Sequence, residues 1–149
     1  MRTGIFTGSF DPYTIGHDNI LRRALPLFDR IIIGIGVNEQ KKYMLSADMR
    51  KKKIQELYRN EPRITVKTYN DLTIDFAKRE MAQYIIKGLR SVKDFEYERE
   101  MAEANYRLSG IDTLLLFADP SLSFLSSSMV RELIHFGKDV REFLPTAKK

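Results

Sequence analysis

The sequence predicts an α/β fold: a doubly wound, five-stranded parallel sheet with helices on both faces, in a single domain over residues 1–149. Three observations lead there. Five short apolar runs alternate with segments whose apolar residues recur at spacings of three and four, which is the pattern of βαβ units. The run Arg30-Ile31-Ile32-Ile33-Gly34-Ile35-Gly36-Val37 is nearly continuous in β-branched residues, as befits a strand covered on both faces. A length of 149 residues, with 43% hydrophobic and 30% charged content, suits one domain with a real core. No internal repeat, low-complexity tract or linker divides it.

In chain order, residues 2–6 read as the first strand. From Gly16 onward, Ile20, Leu21, Ala24, Leu25 and Phe28 mark an amphipathic helix that Pro26 ends or turns. The strand at 30–37 is followed by a polar loop at 38–45. Ser46 is the expected N-cap of a helix running to about residue 60, with Asp48 in its first turn. Glu61-Pro62-Arg63 turns the chain into a third, alternating strand at 64–68. A loop at 69–72 leads to a short helix at 74–81, and a fourth strand at 84–86 leads to Lys87-Gly88-Leu89-Arg90. A long helix is expected at 94–108, stopped by Gly110. A fifth strand at 113–117, a serine-rich loop at 119–128 and a helix at 128–136 closed by Gly137 complete the pattern. One more turn is expected at 140–144 and a frayed tail at 146–149.

Composition narrows the function classes. No apolar run approaches the roughly 20 residues of a membrane-spanning helix, the start runs straight into a strand with no signal-peptide layout, and no membrane partner is expected. There is no cysteine and only two histidines, His17 and His135, so neither a disulfide framework nor a structural zinc site is expected; the absence of cysteine is compatible with the cytoplasm. A net charge of +5, from 25 basic and 20 acidic residues, suits either anionic ligands or simply a solvated surface. A nucleic-acid-binding module is the reading of a different class. The aromatics sit mostly in apolar patterns rather than on a basic stripe, which argues against nucleic acid as a partner.

In a parallel sheet, ligands bind beyond the carboxyl ends of the strands. The loops at those ends therefore form one expected site. The first holds Thr7-Gly8-Ser9-Phe10-Asp11-Pro12-Tyr13-Thr14-Ile15-Gly16-His17. A glycine turn that passes a strand into a helix lets backbone approach a ligand, and the helix N-terminus favours an anion. The other loops add Lys41 and Lys42, then Asp71, Leu72 and Thr73, then Lys87, Gly88 and Arg90, then Ser123, Ser126, Ser127 and Ser128.

These loops resemble those of the bacterial phosphopantetheine adenylyltransferases, nucleotidyltransferases that share a Rossmann-like fold with class I aminoacyl-tRNA synthetases. The resemblance rests on Gly8-Ser9-Phe10-Asp11-Pro12 with Thr14-Ile15-Gly16-His17, on Lys41-Lys42-Tyr43-Met44, on Lys87-Gly88-Leu89-Arg90, and on Asp94-Phe95-Glu96-Tyr97-Glu98. Ser123-Phe124-Leu125-Ser126-Ser127-Ser128, Gly137-Lys138-Asp139-Val140 and Phe143-Leu144-Pro145 extend it over nearly the whole chain. The first block is shared by the whole superfamily, including sister enzymes acting on nicotinamide mononucleotide or glycerol phosphate; the later blocks together single out this one family. Four positions depart from its pattern: Thr7 and Tyr43 stand where proline is usual, Lys87 where arginine is usual, and Leu122 where an aromatic is common.

The resemblance implies a single nucleotidyltransferase domain that transfers the adenylyl group of ATP to 4′-phosphopantetheine, giving dephospho-coenzyme A and pyrophosphate. The nucleophile is then a substrate phosphate already ionised at neutral pH, so catalysis reduces to positioning and charge stabilisation. His17 is the expected donor to the attacked phosphate. Ser9 and the main chain at Phe10 are expected on phosphate groups. Lys41 and Lys87 are expected on the acceptor phosphate, with Lys41 also helping to organise the reacting groups, and Thr73 on the pantetheine arm. Gly88, Leu89, Arg90 and Glu98 are expected around ATP, and Leu122, Ser123, Phe124, Leu125, Ser126, Ser127 and Ser128 around its phosphates. Lys42 reads as solvated, Asp11 as shaping the turn and His135 as structural or surface. Mg2+ is expected with ATP, with no protein ligand named. The resemblance also implies a homohexamer with coenzyme A as feedback inhibitor.

Overall fold

The computed structural model describes residues 1–147; Lys148 and Lys149, the end of the tail expected at 146–149, lie outside the described residues. The strands are β1 (Thr3–Gly8), β2 (Arg30–Gly36), β3 (Ile64–Tyr69), β4 (Tyr84–Leu89) and β5 (Asp112–Phe117). The helices are α1 (Ile15–Ala24), α2 (Ala47–Leu57), α3 (Thr73–Arg79), α4 (Val92–Ser109) and α5 (Ser127–His135), with 3-10 turns at Leu25–Leu27, Pro120–Leu122 and Arg141–Phe143. All strand pairs are parallel, in the order β3-β2-β1-β4-β5. The chain runs outward from β1 through β2 to β3, then crosses back to β4, so the strand order reverses between β1 and β4. The crevice at such a reversal is where ligands of open α/β sheets bind.

Strand alternation divides the core. Phe6, Ile31, Ile33, Ile35, Val66 and Ile86 point to one face and pack with Ile20, Leu21 and Ala24 of α1, Ile54 of α2, and Tyr58. Ile5, Ile32 and Ile85 point to the other and pack with Ile74, Phe76 and Ala77 of α3. A third, small cluster of Leu125, Val130 and Val140 seats α5 beside Ile15. The 18-residue α4 runs beside β4 and β5 and buries none of its own residues.

Several boundaries differ from the sequence expectation. Lys87, Gly88 and Leu89 are not loop: they continue β4, because Leu115, Leu116 and Phe117 of β5 pair with them in register. Likewise Thr7 and Gly8 prolong β1 by pairing with Gly34 and Ile35. Helix α3 starts at Thr73 and ends at Arg79 rather than 81, since Met81 takes a left-handed φ of 57° and turns the chain. Helix α4 begins two residues earlier than expected, capped by Ser91, and closes at Gly110 with φ 74°. Helix α5 begins at Ser127, one residue earlier than expected, capped by Ser126. Apolar spacing locates a helix, but caps and cross-strand partners decide where elements stop.

Candidate active site

Between β1 and β4 lies a cleft of about 240 Å³. Gly8 and Phe10 form its floor on the β1 side. Phe10 carries a left-handed φ of 50° yet is only 4% exposed, so packing holds an unfavourable backbone in place. Its ring lies against Gly8, where a Cβ would come 3.0 Å from the ring edge. On the β4 side, a Cβ on Gly88 would meet Ile20 at 2.8 Å. Glycine there is what lets α1 sit this close to the sheet, with its N-terminus at the crevice.

That N-terminus sets the state of His17. Thr14 caps α1, its hydroxyl accepting from the His17 N–H at 3.4 Å, while the Thr14 N–H donates to His17 Nδ1 at 2.9 Å. The imidazole thus takes the part that a glutamate plays in a capping box. With Nδ1 accepting, the ring proton sits on Nε2. Burial pushes the His17 pKa down from 6.5 to about 4, and the positive charges of Arg90 and Lys87 push the same way. At neutral pH the residue is an uncharged N–H donor lining the cleft.

Cations and a second helix end surround it. Lys87 is half-buried and its Nζ lies 3.4 Å from the Thr7 carbonyl, across the mouth of β1. Arg90, just past β4, is exposed; its N–H bonds Asp94 at 3.1 Å and its guanidinium pairs with the same carboxylate at 3.4 Å. From the far side α5 presents its N-terminus: Ser126 caps it by accepting from the Met129 N–H, and the Ser127 hydroxyl donates to the Pro12 carbonyl at 2.7 Å. Two helix N-termini and two cationic side chains therefore meet in one cleft, an arrangement suited to a polyphosphate.

Of the residues expected from sequence, Phe10, His17, Lys87, Gly88, Arg90, Glu98, Leu122, Leu125, Ser126 and Ser127 line this cleft together. Leu89 is 4% exposed and faces the core, leaving only its main chain to the site. Ser123, Phe124 and Ser128 are exposed along the rim of the serine loop. Ser9 is half-buried, with its carbonyl bonded to Arg50. Thr73 begins α3 and lines a second recess of about 180 Å³ with Lys87, Glu98, Met101, Asn105 and Thr113. Lys87 and Glu98 are common to both spaces. Lys41 and Lys42 are exposed on the loop after β2; the Lys41 ammonium rests 5.5 Å above the Tyr43 ring. His135 is exposed at the end of α5, edge-on to Phe136.

Sequence reading missed the residues that hold this arrangement together. Arg50 is 2% exposed and donates to the carbonyls of Leu45, Ser9 and Gly36, with its guanidinium 4.0 Å from the Tyr43 ring centre. Its position one turn before Ile54, on the apolar side of α2, was the available signal. Asp11, expected to shape its own turn, also accepts the N–H groups of Met44 and Leu45 at 2.8 and 2.9 Å and so ties the Lys41 loop to the His17 loop. Arg131 bonds the Asp11 carbonyl at 2.8 Å and the Ser128 hydroxyl at 3.1 Å.

Comparison with known proteins gives the family and the fold. Residues 5–133 match the cytidylyltransferase-like family. The chain is 50% identical over 149 residues to the phosphopantetheine adenylyltransferase of Phocaeicola vulgatus, covering 100% of this chain and 99% of that one. It is 52% identical over 141 residues to the enzyme of the same description from Porphyromonas gingivalis, covering 95% and 92%. Among solved structures, a bifunctional NMN adenylyltransferase/ADP ribose pyrophosphatase from Francisella tularensis superposes with a TM-score of 0.75 at 14% identity. That match covers 99% of this chain and 46% of the other, so this chain spans about half of that protein, and the likeness is one of fold.

Proposed function

The chain belongs to the cytidylyltransferase-like family and, within it, to the phosphopantetheine adenylyltransferases, and from that premise we propose how its residues carry out the reaction. The enzyme transfers the adenylyl group of ATP to 4′-phosphopantetheine, a step of coenzyme A biosynthesis. An oxygen of the acceptor phosphate attacks the α-phosphorus of ATP, the bond from that phosphorus to the bridging oxygen breaks, and pyrophosphate leaves. Dephospho-coenzyme A remains.

The observation that carries the reading is the locked, neutral His17 at the meeting point of the α1 and α5 N-termini. Its Nε2–H donates to an oxygen of the attacked phosphate, where negative charge builds in the transition state. Being uncharged and already oriented, it needs no proton transfer and little reorganisation. Arg90, the main chain of Gly88 and Leu89, and the loop from Leu122 to Ser128 hold the β- and γ-phosphates; Glu98 borders the nucleotide. Ser9 and the Phe10 main chain bind at the junction of the two substrates. Lys87 neutralises the acceptor phosphate from the sheet, and Lys41 reaches it from the opposite loop. The recess shared through Lys87 takes the pantetheine arm. There Thr73 and the buried Thr113 hydroxyl, which has no partner within the protein, suit the arm's amides.

Magnesium accompanies ATP in this proposal. Among the described residues no group of three or more histidines or carboxylates stands together, and Asp94 is already paired with Arg90. A magnesium ion bound with ATP would be held mainly by the nucleotide, with few protein ligands, and would offset the charge of the phosphates. The homohexamer is supported by α4, whose Val92, Phe95, Tyr97, Met101, Tyr106 and Leu108 are all exposed in the single chain. Coenzyme A carries both the nucleotide and the pantetheine halves of the product, so feedback by it at this cleft belongs to the same proposal, as does a cytoplasmic location. Among the described residues no helix is long and apolar enough to cross a membrane.

Pyrophosphate release from ATP, magnesium and 4′-phosphopantetheine tests the reading. Turnover with this acceptor, and none with nicotinamide mononucleotide or glycerol phosphate, is the expected result. Turnover confined to another phosphate acceptor overturns it. Mass measurement in solution checks the assembly.

A further inference from the structure

His17 does not stand alone. Its imidazole stacks on the ring of Tyr13, with centroids 5.2 Å apart and planes 24° off parallel, and Phe10 meets it edge-on at 5.0 Å. Tyr13 is 6% exposed and Tyr58, at the end of α2, 5%. Their hydroxyls are 2.6 Å apart, and that of Tyr58 reaches the Asp18 carboxylate at 2.5 Å. Asp18 is in turn gripped by Arg22 Nε, 3.0 Å from both its oxygens.

The direction of this chain follows from its end. The Asp18 carboxylate only accepts, so the Tyr58 hydroxyl must donate to it. Tyr58 has then spent its one proton and accepts from Tyr13. Burial raises the pKa of both phenols, which keeps both protons in place. Asp18 immediately follows His17 on α1. The chain thus leaves the turn below the imidazole, passes through α2, and returns to the helix that carries the imidazole. It closes a loop around His17 without touching the cleft, since neither Tyr58 nor Asp18 lines it.

We propose that Tyr13 and Tyr58 are positioning residues for His17: the Tyr13 ring is the platform that sets the tilt of the imidazole, and the Tyr13–Tyr58–Asp18–Arg22 chain fixes that platform to α1. The Thr14 N–H settles which nitrogen carries the proton; the platform settles where that proton points. This rests on the reading of His17 as the transition-state donor. A buried, polar support needs every partner satisfied, and here every hydroxyl and carboxylate in the chain has one.

A double-mutant cycle on kcat tests it. Tyr13→Leu keeps an apolar side chain but removes the aromatic platform, and is expected to lower kcat about 100-fold with both KM values within about twofold. Tyr58→Phe, which removes only a hydroxyl, is expected to lower kcat about tenfold, with Tyr13→Phe behaving alike. In a His17→Ala background each of these changes is expected to alter kcat less than about twofold, because the group they position is gone. Equal losses in both backgrounds, or a rise in KM at constant kcat, overturn the proposal and leave the tyrosines as core packing. His17→Ala with undiminished turnover overturns the donor reading itself, and this inference with it. Should Tyr13→Leu not fold, the cycle with Tyr58→Phe decides on the same criteria.

Discussion

The two loops that Asp11 ties together, one leading to His17 and one bearing Lys41, are built in different ways. Residues 10–14, leading to His17, are buried, with Phe10, Asp11, Tyr13 and Thr14 between 2% and 6% exposed. The loop at 38–45, which bears Lys41, is largely exposed. The first loop is packed on its own aromatic rings and helix cap, and Arg131 and Ser127 hold its Asp11 and Pro12 carbonyls. The second is shaped from outside, by Asp11 on its Met44 and Leu45 N–H groups and by Arg50 on its Leu45 carbonyl and against its Tyr43 ring. A donor that acts on a transition state gains from being fixed beforehand. A cation that captures an incoming phosphate needs only a loop held near the right place, because a lysine is a point charge on a long stem.

Removing the fixed donor should have the largest effect. His17→Ala is expected to lower kcat about 10²–10³-fold, the usual range for one transition-state donor, while ATP binding changes by less than about threefold. Stopped-flow nucleotide binding beside steady-state turnover checks the split; equal losses in both would mean that His17 binds rather than catalyses. The same fixed environment is readable as a pKa. The His17 ring is expected to titrate near 4 in the free enzyme rather than 6.5, a shift worth about 300-fold in proton affinity. Between pH 6.5 and 4 the unfolded chain then binds the extra proton, so this residue's contribution to stability is present above 6.5 and lost as pH falls through that window. NMR titration of the ring signals checks it, and a midpoint above 6 would contradict the buried, cation-flanked setting.

Unfastening the second loop should matter less. Asp11→Ala leaves the Met44 and Leu45 N–H groups without their partner, at a cost of about 1–3 kcal/mol in stability. The KM for 4′-phosphopantetheine is expected to rise about tenfold, with kcat nearly unchanged, since His17 keeps its cap and platform. A kcat loss as large as that of His17→Ala would show that the two loops are not independent.

The contrast also governs what could be read from sequence. The sheet, its strand count and the clustering of glycine, cations and serines at strand ends were legible, because periodicity and turn chemistry are local. His17 was legible from a strand, a glycine turn and a helix in succession. Its tautomer was not, since that depends on a capping bond from Thr14. Arg50, Asp11 and the Tyr13–Tyr58 pair were missed as organisers because their partners lie 14 to 45 residues away. The same holds for the extension of β4 through Leu89, which only the register with β5 explains.

The smallest effect is expected where this chain departs from its family's pattern in the exposed loop. By the resemblance to that family, Tyr43 stands where proline is usual. Its hydroxyl accepts the Asn38 N–H at 2.9 Å, and its ring carries the Arg50 guanidinium at 4.0 Å and the Lys41 ammonium at 5.5 Å. Tyr43→Pro removes one exposed hydrogen bond and two cation–π contacts. Proline returns part of that by stiffening the unfolded chain, and no backbone bond from the Tyr43 N–H is lost. The balance is a destabilisation of about 1 kcal/mol, read as a lower Tm. Lys41 loses its resting place but keeps its stem and loop, so the KM for the acceptor should stay within about threefold. A tenfold rise in that KM at unchanged kcat would mean that the Tyr43 ring aims Lys41 as Tyr13 aims His17, and the difference between the two loops would be one of exposure alone.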